Sequence, residues 1–189
     1  MINNLFTIEW VGPFQDIESL IDWEKEHNTK SNYYFYIITG KPAYKQIAQN
    51  YCGITQNKEG YVHKRFLNDP NHIIHQLRDK EIWIGKFSDN KSHIRNDIEL
   101  CETMLISYWQ PELNIRKKSY YPDEYVTIIN RWFKTNLEPR EKCLYTAQTM
   151  PDLIIYDGHS IWGTERIKKL KDIIYTIKSS SLNFFIQAD

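Results

Sequence analysis

Residues Glu102 to Asn114, ETMLISYWQPELN, close a helix in which a carboxylate stands where the pattern asks for an apolar side chain. At about 100° per residue, Ile94, Ile98, Cys101, Leu105, Ile106 and Trp109 share one face, and Glu102 falls inside that arc. A carboxylate turned toward a core shifts its pKa upward, pairs with a cation or ligates a metal, because burying an uncompensated charge is expensive. An ion pair with a nearby Arg or Lys and a metal site therefore both fit Glu102. The helix begins near Ser92 and reaches the vicinity of Gln110, where Pro111 sets its limit.

Working outward, residues 6 to 10 (FTIEW) alternate like a short strand that ends at Gly12-Pro13. An amphipathic helix follows, with Phe14, Ile17, Leu20, Ile21 and Trp23 as its apolar positions. The aromatic and β-branched run Tyr33 to Thr39 stops at Gly40-Lys41-Pro42, and a second strand ends in Tyr51-Cys52-Gly53-Ile54-Thr55, which predicts an antiparallel hairpin. Next come the basic segment Tyr61 to Phe66, a short helix after Asp69-Pro70, and a third strand over residues 82 to 87. Beyond Asn114 the spacing predicts a helix over 122 to 137, a hairpin about Asp157-Gly158 and a last amphipathic helix. The chain divides on this reading into a domain at 1–118 and an accessory module at 119–189.

Lys plus Arg equals Asp plus Glu at 24 each among 189 residues, so net charge neither supports nor excludes a polyanionic partner, and local clusters carry that argument. Cys52, Cys101 and Cys143 are widely spaced and lack a C-x-x-C pairing, which predicts reduced thiols in a cytoplasmic protein. The absence of a long apolar run predicts neither a signal peptide nor a membrane partner.

Taken in order, these segments resemble the GIY-YIG nuclease family. Its Gly-Ile-Tyr strand corresponds to Tyr34-Phe35-Tyr36, and its Tyr-Ile-Gly strand to Tyr51-Cys52-Gly53. Its helical Arg corresponds to Arg65, and its Glu, Leu-Ile and Pro-x-x-Asn to Glu102, Leu105-Ile106, Pro111 and Asn114. Tyr34 stands where the family has its first Gly. The resemblance spans residues 6 to 114 and implies an α+β fold, with a small antiparallel three-stranded sheet flanked by helices and a C-terminal helix and hairpin extension. It also implies a metal-dependent DNA endonuclease with Tyr36, Tyr51, Arg65 and Glu102 as catalytic residues and Gly53 as a motif position.

The residue types suit that chemistry. Glu102 anchors one hard divalent cation, Mg²⁺ or in its place Mn²⁺, which prefers oxygen ligands and keeps waters that phosphate oxygens can replace. The planar guanidinium of Arg65 can hold two phosphate oxygens, with His63 or Lys64 as neighbours that assist or replace it. Tyr36 is the candidate general base, with Tyr51 beside it; since a phenol has a pKa of about 10, activity should rise toward alkaline pH. Asn114 reads as structural, tying the turn after the helix through its amide. His72 and His75, three apart without a third ligand, read as a surface pair.

Nucleic-acid contacts fall to Arg116, Lys117 and Lys118 with Tyr120 and Tyr121, and to Arg166, Lys168, Lys169 and Lys171 on the last helix. Each residue also has a plainer reading: sheet aromatics for Tyr36 and Tyr51, solvated cations for Arg65 and the lysines, a tight approach between strand and helix for Gly53. The competing functions are a non-catalytic binding module on the same fold, which Tyr34 and the zero net charge favour, and an RNA-directed nuclease toxin or effector.

Overall fold

The computed structural model describes residues 4–27, 33–56, 60–88, 93–140 and 150–164. In chain order they form β1 (Asn4–Phe14), α1 (Ile17–Glu26), β2 (Tyr33–Pro42), β3 (Gln49–Gln56) and α2 (Val62–Asn68). A 3-10 turn (Ile73–Gln76), β4 (Leu77–Phe87), α3 (Arg95–Trp109), β5 (Val126–Phe133), β6 (Leu153–Tyr156) and β7 (Ile161–Thr164) follow.

Local chemistry sets the helix ends. Asp16 accepts the Ser19 amide at 2.7 Å and starts α1. Asp97 accepts the amide of Ile94 at 3.0 Å and starts α3, and Gln110, in the left-handed region at φ 53°, ends α3 just before Pro111. Among the described residues no helix is long and apolar enough to cross a membrane.

The strands make one seven-stranded mixed sheet in the order β3-β2-β4-β1-β5-β6-β7. β1 and β5 run parallel, from Asn4 opposite Val126 to Val11 opposite Phe133. The small three-stranded sheet expected from the sequence is thus corrected: β3, β2 and β4 do pair antiparallel, but they are one side of a wider sheet. The class remains α+β. β1 is an inner strand because it buries side chains on both faces, Phe6, Ile8 and Trp10 on one and Val11 and Phe14 on the other. It also runs on through Gly12-Pro13 with a register shift against β4.

The expected helix over 122–137 is a strand as well. Val126, Thr127, Ile128 and Ile129 are all β-branched and fit a pleated surface better than a helix, and β5 finds a partner on each side in β1 and β6. The β6–β7 hairpin forms where its turn predicts. The last predicted helix, with Arg166, Lys168, Lys169 and Lys171, lies outside the described residues.

Alternation along β2 divides the core. Phe35 and Ile37 pack with Trp10, Trp83 and the buried face of α3, whereas Tyr34, Tyr36 and Ile38 pack on the other side with α1, α2 and Ile74. Ile98, Cys101, Met104, Leu105 and Ile106 of α3 are all buried, and each large aliphatic side chain so removed from water contributes about 2 kcal/mol. With α3 on one face and α1 and α2 on the other, side chains of the two layers can meet only around a sheet edge. That edge is β3.

Candidate active site at the sheet edge

An edge strand has amides that no neighbour strand satisfies, and here side chains satisfy them. Asn50, Cys52 and Ile54 turn their N–H groups away from β2. The Asn50 amide donates to Glu112 Oε2 at 2.8 Å, the Cys52 amide to Asn114 Oδ1 at 2.8 Å, and the Ile54 amide to the Glu102 carboxylate. Asn114 also donates through Nδ2 to the Cys52 carbonyl at 2.7 Å, and the Leu113 amide donates to the Asn50 carbonyl at 3.0 Å. The segment after α3 is thereby stitched along β3. Asn114 is structural, as its sequence context suggests, although it ties the turn to a strand across the fold and not to itself.

On the other face, Tyr36 lies opposite Gly53 on the neighbouring strand. A Cβ on Gly53 would stand 2.7 Å from both Cζ and Oη of Tyr36, so glycine is needed to let the phenol cross the strand. The tight approach is therefore to a tyrosine ring and not to a helix. The Tyr36 and Tyr51 rings stack at 6.0 Å between centroids. Burial, and then the neighbouring Tyr51, hold the Tyr36 hydroxyl well above the usual phenol range, while Arg65 draws it down by its charge and a hydrogen bond. Burial and the Glu102 charge raise Tyr51 also, and a hydrogen bond from Tyr36 opposes them. Tyr36 of β2 and Tyr51 of β3 are thus in ring contact, Arg65 of α2 bonds to Tyr36, and the charge of Glu102 on α3 reaches both phenols.

His72 joins them, contrary to its expected surface position. It is 5% exposed, and its Nε2 lies 3.0 Å from the Tyr36 hydroxyl. Its Nδ1 accepts the Ile74 amide at 3.3 Å, so the neutral ring carries its proton on Nε2 and donates to Tyr36. Burial, assisted by the charge of Arg65, lowers the His72 pKa to about 4. Nothing in the sequence spacing singles out His72, because a 3-10 turn turns it inward. His75 differs, its Nε2 standing 2.9 Å from the Phe66 carbonyl.

Arg65 is oriented by Asp69, one helical turn on, at 3.2 Å, with its side chain 42% exposed. It opens onto a cleft of about 250 Å³ whose lining includes Ile54, Ile98, Arg95 and Glu99; Arg95 and Glu99 pair at 2.6 Å. Lys64 is the half-buried neighbour of Arg65 on α2. His63 points elsewhere: its Nδ1 lies 2.6 Å from Glu24 Oε2, and Glu24 also accepts the Val62 and His63 amides. His63 therefore anchors α2 to α1 and stands apart from the phenols.

Of the two options left open by its sequence position, Glu102 takes up the ion pair. Its side chain is 13% exposed, and Lys117 Nζ lies 2.5 Å from Oε2. Burial still raises the carboxyl above its ordinary range despite Lys117, which draws it down by a hydrogen bond and its charge. Among the described residues no group of three or more His, Cys, Asp or Glu is placed to cage a metal. One carboxylate at a place already held by an ammonium fits a cation that keeps most of its waters and takes substrate oxygens, as Mg²⁺ does. Beside it Arg116 is exposed and Lys118 half-buried, with Tyr120 and Tyr121 at 68% and 60% exposure.

Comparison with protein-family models, curated proteins and solved structures found no match for this chain.

Proposed function

We propose that this protein is a metal-dependent endonuclease of the GIY-YIG kind that hydrolyses phosphodiester bonds in DNA. The observation that carries the reading is the approach of Tyr36, Tyr51 and Arg65 to one another beside β3, with the charge of Glu102 reaching both phenols. In this reading Glu102 holds one Mg²⁺ or Mn²⁺, which supplies positive charge where negative charge develops on the phosphate.

Arg65 binds two oxygens of the scissile phosphate, in a position set by Asp69. Tyr51 receives the proton of the attacking water as the new P–O bond forms and the bond to the leaving sugar oxygen breaks. Tyr36 is the less suitable acceptor, since it is the more deeply buried phenol. It serves to orient Tyr51, taking a hydrogen bond from His72 and giving one to Tyr51. Arg116, Lys118, Tyr120 and Tyr121 offer phosphate and base contacts alongside.

The reactive form has Tyr51 ionised, and both phenols lie above the ordinary value. Cleavage therefore rises close to tenfold per pH unit from pH 7 to 9, and a profile flat over that range excludes Tyr51 as the acceptor. Incubating the purified chain with plasmid DNA and with structured RNA, with and without Mg²⁺, tests the function itself. DNA scission that needs Mg²⁺ is the expected result; RNA scission alone points to a ribonuclease effector.

A second reading is a binding module without catalysis. The ion pair of Lys117 with Glu102 favours it, because a lysine already neutralises the carboxylate. It predicts retention of nucleic acid with no scission under any metal.

A further inference from the structure

The segment after α3 is held to the helix in an unusual way. Gln110 donates through Nε2 to the Ser107 carbonyl at 2.5 Å and to the Lys118 carbonyl at 2.7 Å. The Ser107 hydroxyl is shared between the carbonyls of Lys117, at 3.1 Å, and Tyr120. These bonds fold residues 115–120 back as a strap along α3. Lys117 itself adopts φ 69°, a left-handed conformation that costs a non-glycine residue about 1 to 2 kcal/mol. Ile115 on the same strap is 96% exposed, so no apolar contact of its own holds it down. The Lys117 ammonium on Glu102 adds a side-chain ion pair to these hydrogen bonds.

We propose that Lys117 is the resident counter-ion of Glu102, so that a divalent cation and the lysine compete for one carboxylate and cation binding loosens the 115–120 strap by removing its one ion pair to Glu102. The inference rests on the nuclease reading and adds a positioning residue to it. Two cations cannot share the same carboxylate oxygen at contact distance without repulsion, while Glu112, Leu113 and Asn114 stay fixed to β3. The strap has a fixed end at Asn114, and its Lys117 contact is the one a metal removes.

Mn²⁺ binding to the full chain, followed by the electron paramagnetic resonance of the free ion, tests the competition. Lys117→Met is expected to bind Mn²⁺ about tenfold more tightly than the parent, a change of about 1.4 kcal/mol, and Glu102→Gln to lose binding. Loosening of the strap is read by an arginine-specific protease cutting after Arg116. The parent is cut slowly without Mn²⁺ and several-fold faster with it, whereas Lys117→Met and Glu102→Gln are cut fast in either condition. Equal Mn²⁺ affinity in the parent and Lys117→Met overturns the competition and leaves the nuclease reading standing. A cutting rate unmoved by Mn²⁺ or by either substitution overturns the loosening of the strap. Absence of Mn²⁺ binding in the parent and in Lys117→Met alike removes the nuclease reading and this inference together.

Discussion

Glu24 and Glu102 are both glutamates on the inward side of a helix, yet their surroundings differ in kind. Glu24 is fully buried and accepts the Val62 amide at 2.7 Å, the His63 amide at 3.2 Å and His63 Nδ1 at 2.6 Å. Its partners belong to the first turn of α2, where backbone N–H groups lack helical acceptors. Glu102 keeps some exposure and holds one ammonium, carried by a strap, together with the Ile54 amide. The first carboxylate is saturated by fixed groups and joins two helices. The second is paired with a lysine whose side chain is 30% exposed, and its charge reaches both phenols. Burial of a charge marks both, and in the proposed function an exchangeable partner is what suits the second to chemistry.

The largest expected effect breaks this contrast at its functional end. Glu102→Gln should lower DNA cleavage by about a thousandfold, equivalent to about 4 kcal/mol of transition-state stabilisation. Its unfolding free energy should stay within about 1 kcal/mol of the parent, because the Lys117 side chain is 30% exposed and can turn its ammonium to water when the carboxylate charge is removed. Cleavage kinetics and urea unfolding on the same preparation check both halves. Undiminished cleavage would remove Glu102 from the chemistry, and the two carboxylates would then both be structural.

Glu24→Gln comes next and inverts the pattern. The amide keeps one acceptor oxygen but presents an NH₂ to backbone donors, leaving buried groups unpaired, which should cost about 3 kcal/mol of stability. Urea unfolding reads it directly. Cleavage by the folded fraction should fall far less than in Glu102→Gln, since Glu24 reaches Arg65 only through the placement of α2. A loss of stability no larger than that of Glu102→Gln would erase the distinction.

How much of this was legible follows the range of the interactions. The α3 periodicity, the β2–β3 hairpin and the β6–β7 turn are local patterns, and each forms where its sequence places it. The width of the sheet is not local: β1 meets β5 across most of the chain, and the Trp10 indole donates to Asn130 Oδ1 at 2.8 Å. No periodicity in 6–10 names such a partner. The β-branched run of β5 was a signal, and it outweighs the apolar spacing that suggested a helix.

For the site, motif order singles out Tyr36, Tyr51, Arg65, Glu102 and Asn114; in the fold Arg65 bonds to Tyr36 beside Tyr51, Asn114 ties to Cys52, and Glu102 reaches the phenols by its charge. His72 was hidden because its inward turn depends on packing against Tyr36 and Phe66. Glu24 was visible in principle, at positions i+4 and i+1 from the buried Leu20 and Trp23. The criterion that singles out Glu102 would have flagged it too, so an acidic residue on an apolar arc marks burial and does not by itself mark function.

Asn114→Ala sharpens the comparison at the scaffold that both strap and carboxylate depend on. It removes two hydrogen bonds and leaves the Cys52 N–H and C=O unpaired at the strand edge, for a loss of about 2 kcal/mol. The cost should appear in urea unfolding. Hydrogen exchange at the Cys52 amide should rise relative to that of Trp10, deep in the sheet; no change at Cys52 would show that Asn114 does not protect the edge.

The smallest effect concerns His72, a buried titratable group in which burial and Arg65 disfavour the ionised form more than the Asp69 charge favours it. Its pKa falls from 6.5 in the unfolded chain to about 4 when folded. Above pH 6.5 both states hold the neutral ring and the fold keeps its full stability. As the pH drops from 6.5 toward 4, the unfolded chain binds a proton that the folded chain refuses, so stability falls; below about 4 both are protonated and the loss levels off. Between pH 7 and 5.5 the share due to His72 is about 1 kcal/mol. His72→Gln keeps an N–H donor for Tyr36 but has no proton to take up in that window, so its urea midpoint should move less with pH than the parent's. Equal acid sensitivity in the two would mean that the ring meets solvent freely. Tyr36 would then lack the fixed donor that orients it, and the edge cluster would have one ordered phenol fewer.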